Sequence, residues 1–155
     1  ASRNATIAAD AGSGNTPPVS PPQGNDGNYH PVAIGGGGGG ADPTGAAPVP
    51  GNSGSGGTGS YMMQTGFAGC NGTTGPVGSV RYFAGGGVGG HNPSAQPCAP
   101  QTGGAGGGGA QNPSGGIAGT VNTGGGGGAG DAAGSIPQAA GGGGSGIVII
   151  RYKFQ

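Results

Sequence analysis

Two histidines, two cysteines, four acids and a handful of cations are the side chains in this chain that could carry chemistry. The acids are Asp10, Asp26, Asp42 and Asp131, with no glutamate; the cations are Arg3, Arg81, Arg151 and Lys153. His91 stands shortly before Cys98, which superficially suggests a thiol–imidazole pair. Nucleophilic catalysis needs a third group to orient the base, and the sequence offers none. His30, between Tyr29 and Pro31, reads as a surface or packing residue. Two cysteines with no histidine at ligand spacing do not make a zinc site. Matches to G-x-G-x-x-G abound, but 47 glycines in 155 residues produce them by chance. None lies between a strand and a helix, so they carry no dinucleotide fingerprint. With Lys153 the single lysine, a P-loop is absent. The residues therefore predict no enzyme, no catalytic or metal site and no cofactor.

Cys70 and Cys98 sit in similar turn-rich surroundings. Bridged, they would stabilise the fold by roughly 3–4 kcal/mol on the chain-entropy model and imply an oxidising or extracellular setting. The alternative is two inert free thiols. Four positive and four negative charges give zero net charge and no basic patch, which disfavours nucleic acid as a partner. No apolar run approaches the ~18 residues that membrane insertion needs. A start at Ala1 rather than Met is what a processed, trimmed or partial chain would give, and no signal peptide is visible.

The elements that must position these residues are unusual. Glycine and proline, 47 and 14 residues, exceed a third of the chain, and hydrophobic types reach 30% with much of that alanine. Three Phe, four Tyr and no Trp are too few for an ordinary core. Such a chain either stays disordered or folds by pairing backbone groups with one another, and the folded outcome is the one expected. Residues 1–34 read as an extended proline-rich arm, docked on something rather than packed on itself. Asn4–Ala8 could form a short strand, and Pro17-Pro18-Val19-Ser20-Pro21-Pro22 a polyproline II stretch.

Residues 35–155 form a second, glycine-rich unit. Runs at 35–40, 85–87, 106–109, 124–128 and 141–144 alternate with turn-forming linkers. Such a pattern suggests a chain that shuttles back and forth as a bundle of polyglycine II helices. Without Cβ atoms these helices can approach closely and bond N–H to C=O between neighbours. On that basis a Gly→Val change within 124–128 should be badly tolerated. The fold class expected is mostly irregular and β: a polyglycine II–polyproline II bundle with a few short strands and no α-helix.

Two segments are β-like. Ser79–Phe83 is rich in strand formers, and 147–154 is the most apolar part of the chain. The two-residue period of a strand puts Val148, Ile150, Tyr152 and Phe154 on one wholly apolar face. That face is expected to be buried against the arm and Tyr82/Phe83, or against another subunit. Tyr61, Met62 and Met63 read either as an adaptable binding spot or as filler near Phe67. Asn4-Ala5-Thr6 and Asn71-Gly72-Thr73 fit the N-glycosylation pattern.

The C-terminal half carries a resemblance. Arg81-Tyr82-Phe83-Ala84-Gly85-Gly86-Gly87, Gly119-Thr120-Val121-Asn122-Thr123 followed by 124–128, and Gly144-Ser145-Gly146-Ile147-Val148-Ile149-Ile150-Arg151-Tyr152 stand in order. They resemble elements of glycine-rich domains in tailed-phage and marine-virus structural proteins. The resemblance implies a virion protein, and it is similar in architecture to polyglycine II tail-tip adhesins whose turn loops contact a host receptor. Carried over, the linker residues Asp42, Thr44, His91, Asn92, Ser94, Asn112, Ser114 and Asp131 would make those contacts. Val148, Ile150, Tyr152 and Phe154 would meet other virion proteins or copies of the chain. The function expected is a tail-fibre, tip or capsid-surface component at the outside of a virion. A secreted filament or matrix subunit and a glycine-rich ice-binding protein are the alternatives.

Overall fold

Glycine lacks the Cβ that normally keeps two backbones apart, so runs of it can lie side by side at hydrogen-bonding distance. The computed structural model shows this arrangement; it describes residues 12–20, 23–28, 35–42, 54–62, 65–90, 101–112, 114–130 and 138–153. The fold is mostly irregular, with two short antiparallel strands, β1 (Ser60–Met62) and β2 (Arg81–Phe83). One four-residue helical turn, α1 (Thr65–Ala68), lies between the strands in the chain.

The glycine runs are tied by backbone bonds that recur at every third residue, the repeat of a polyproline II-type helix. Gly35, Gly38 and Ala41 donate to the carbonyls of Gly90, Gly87 and Ala84, so runs 35–42 and 84–90 are antiparallel. Gly86 and Gly89 donate to Gly57 and Gly54, which sets run 54–59 antiparallel to 84–90 as well. Gly85 and Val88 donate to Gly106 and Gly109, while Gly126 and Ala129 donate to Gly85 and Val88; these neighbours run parallel. Run 84–90 is therefore the hub of the bundle. Its glycines 85–87 and 89 are buried, and Val88 is 1% exposed.

The described segments 101–112, 114–130 and 138–145 add a meander around this hub. Segment 101–105 follows 54–59, with Gly56 and Gly59 donating to Thr102 and Ala105. The chain then reverses at Gly106 and Gly107, whose φ of 101° and 86° suit glycine. It returns as 106–110 and descends as 115–120, where Ile117 and Thr120 donate to Ala110 and Gly107. After a turn at 121–124 it rises as 124–130, and 138–145 descends beside it, Gly141 and Gly144 donating to Gly128 and Gly125.

The described part of the N-terminal stretch docks on a glycine run. Asn25 and Asn28 donate to Gly40 and Gly37, again three residues apart, and Gly27 donates to Gly12. Part of the expected arm thus packs on the chain's own glycine run, because asparagine backbones at the right phase join the lattice as glycine does. Asn15 fixes the bend before it, its Oδ1 accepting from the amides of Val19 and Gln23. Residues 4–8 and Pro21-Pro22 lie outside the described residues.

The apolar core is small, with Val88 in the hub run and the rest near the β1–β2 pair. Among the described residues it comprises Ala68, Val80, Tyr82 and Val88. Tyr82 pairs with Tyr61 across β1 and β2, their ring centroids 5.5 Å apart, and bridges on its other side to Thr73. Its hydroxyl accepts from the Val77 amide at 3.2 Å. Thr73 Oγ1 accepts from the Gly106 amide at 2.7 Å, which clamps this cap to the 105–107 turn.

Candidate interface sites

The antiparallel runs give the bundle two unlike ends. At the first, the chain leaves the described residues at Gly90 and Gly130, and Ala110 leads into Gln111 and Asn112. Asn112 and Ser114 are exposed there, and Asn112 Oδ1 accepts from the Ser114 amide at 3.0 Å. The buried Nε2 of the adjoining Gln111 has no hydrogen-bond partner. Asp42 is at the other end: its amide bonds Thr58, and its neighbour Ala41 bonds Ala84. Asp42 and the pair Asn112 and Ser114 thus lie toward opposite ends of the runs. Thr44, His91, Asn92, Ser94 and Asp131 lie outside the described residues.

The second end is the capped one. Thr123 is 3% exposed; its hydroxyl donates to the Thr120 carbonyl at 2.6 Å and accepts from the Gly125 amide at 3.0 Å. Both Thr123 and Gly124 amides donate to the Ser145 carbonyl, and Ser145 Oγ accepts from the Asn122 amide. These bonds fix where the C-terminal segment leaves the bundle. Beyond it lies an open cleft of about 480 Å³, lined among others by Tyr61, Met62, Phe83, Thr123, Ile147 and Ile149. The sequence had placed Tyr61 and Met62 as an adaptable spot or as filler; they are wall residues of this cleft.

The C-terminal segment inverts one expectation. Residues 147–153 form no strand, because no neighbouring backbone among the described residues pairs with 147–150. Burial still alternates: Ile147 and Ile149 face the cleft, while Val148 and Ile150 are 84% and 80% exposed. The face opposite to the one expected is what lies near Phe83. Tyr152 is 81% exposed, and Phe154 lies outside the described residues. Val121, Val77 and Tyr61 add further exposed apolar surface.

Cys70 is exposed with a free thiol, and its expected partner Cys98 lies outside the described residues. Asn71, in a glycosylation pattern, uses its side-chain amide to donate to the Ala68 carbonyl. No group of three or more His, Cys, Asp or Glu among the described residues could hold a metal ion, and no helix among them is long and apolar enough to cross a membrane. The cleft joins residues 60–62, 83–84, 123–124, 146, 147 and 149, which are far apart in the chain. The sequence clues were the Tyr61–Met62 pair and the alternation of 147–152.

A family model described as a glycine-rich domain matches residues 1–153. No curated protein and no solved structure matches the chain.

Proposed function

Since the chain belongs to the glycine-rich domain family, we propose that it is a non-catalytic structural protein of a virus particle, a tail-fibre, tip or capsid-surface component acting outside the cell. The observation that carries this reading is the division of labour between the ends. One presents exposed loop residues such as Asn112 and Ser114, the other an exposed apolar strip at 148–152. A bundle held by backbone bonds leaves its loops free to vary, which suits a surface that must match a receptor. The apolar strip suits attachment to other virion proteins or to copies of the chain.

Immunogold electron microscopy of particles from the source, with antibody against this chain, tests the reading. Label on virions is expected, and its position at head, tail or fibre tip separates decoration from host attachment. Label on cell surfaces or free filaments with virions bare would overturn it in favour of a secreted matrix subunit.

A further inference from the structure

We propose that two copies of this chain join end to end through their 147–153 segments, paired antiparallel about a two-fold axis at Ile150. The inference deepens the interface reading given above and does not depend on the particle. Particle labelling can therefore fail while this stands, and the reverse.

Three observations select a second copy as the occupant. The first is backbone chemistry: no backbone bond among the described residues involves 147–150, although burial alternates there as in a strand. An extended segment with unpaired amides and carbonyls is a template for one more strand. An identical segment meets it by symmetry, residue i facing residue j and j facing i.

The second is register. With Ile150 on the axis, Val148 stands opposite Tyr152 of the other copy and Ile150 opposite Ile150. Aromatic–β-branched and β-branched pairs of this kind favour association. Arg151 then faces Ile149, and Lys153 faces Ile147. Moving the axis to Arg151 would oppose two like charges, which is destabilising. An axis at Ile149 would leave Tyr152 facing Gly146. An odd shift would set Val148 against Arg151. The sequence admits one favourable register.

The third is area. Val148, Ile150 and Tyr152 are each at least 80% exposed, and Val121 is 69% exposed. Pairing sets Val148, Ile150 and Tyr152 of both copies side by side in one row of cross-strand contacts and withdraws part of this apolar area from water. The cleft beside Ile147 and Ile149 leaves space for the partner's side chains.

The test is sedimentation equilibrium of the full chain at tens of micromolar, with Ile150→Arg and Ile150→Cys variants. The wild type is expected at twice the 13.9 kDa chain mass, and Ile150→Arg at the single mass with an unchanged melting temperature. Mild oxidation of Ile150→Cys should give a covalent dimer whose linkage maps by peptide mass to Cys at 150 in both copies. Peptide mapping separates this product from any linkage through Cys70. A monomeric wild type, a dimer that survives Ile150→Arg, or an oxidised Ile150→Cys without that linkage would each overturn the proposal. So would a monomer that binds a different virion protein through the strip.

Discussion

Gly86 and Gly38 lie so close that a Cβ on Gly86 would overlap the Gly38 carbonyl oxygen. Neither can retreat, because Gly38 bonds Gly87, and Gly86 bonds Gly57 on its other side. Gly142 has nothing within 4 Å of where its Cβ would be. Gly86→Ala is expected to cost about 3 kcal/mol or more, since overpacking against backbone has no flexible side chain to yield. Gly142→Ala should be neutral or stabilising by about 0.5 kcal/mol through the unfolded chain. Thermal melts of the two variants check this, and equal melting temperatures would refute lattice packing.

Thr123 is a buried hydroxyl with one donor and one acceptor bond, both within the turn that launches run 124–130. Thr123→Val keeps its shape and removes both bonds. Left unsatisfied, the Thr120 carbonyl and Gly125 amide should lower stability by about 1–3 kcal/mol. Thr123→Ser should retain most of it, as read by denaturant midpoints.

The Tyr82 ring occupies the place a side chain on Gly75 would need. Gly75→Ala is therefore expected to displace the ring and loosen the cap. Tyr82→Phe loses only the bond from the Val77 amide, at about 1 kcal/mol. Near-ultraviolet circular dichroism should change strongly in the first variant and slightly in the second.

A fold held by backbone bonds over little apolar burial should have an unusual calorimetric signature. Exposing apolar surface raises the heat capacity on unfolding and exposing polar surface lowers it. The value per residue is expected to fall below the ordinary ~12–15 cal/mol/K. With four charges of each sign in 155 residues, the melting temperature should barely move with salt. Scanning calorimetry at low and high ionic strength measures both.

If the chain is an adhesin, its two ends should respond differently. Replacing Asn112 and Ser114 with alanine is expected to reduce attachment to host cells severalfold. Asp42→Ala, at the opposite end, should leave attachment unchanged. The reverse pattern in a cell-binding assay would move the receptor face to the capped end.

The sequence made much of the fold legible, because glycine runs report backbone behaviour directly. The strand at Arg81–Phe83 was readable from its residue types, whereas β1 was not, since Ser60–Met62 becomes a strand only by pairing with it. The packing of Asn25 and Asn28 on 37–40 was invisible because lattice bonds use groups that every residue has. For 147–152, the two-residue alternation was readable, but which parity turns inward was not. That choice belongs to Ser145, whose carbonyl and hydroxyl hold the exit of the chain. The cleft joins four separate stretches of chain, and no one of them carries its signature.

The three-residue period of the bonds between runs has a genetic consequence. One turn of such a helix is three residues, so gaining or losing three within a run slides the lattice by a full repeat and restores every bond. Gaining one or two leaves donors facing the wrong neighbours along a whole run. Length variation in the glycine tracts of related genes should therefore come in steps of nine nucleotides, while the loops between them drift without any such grain.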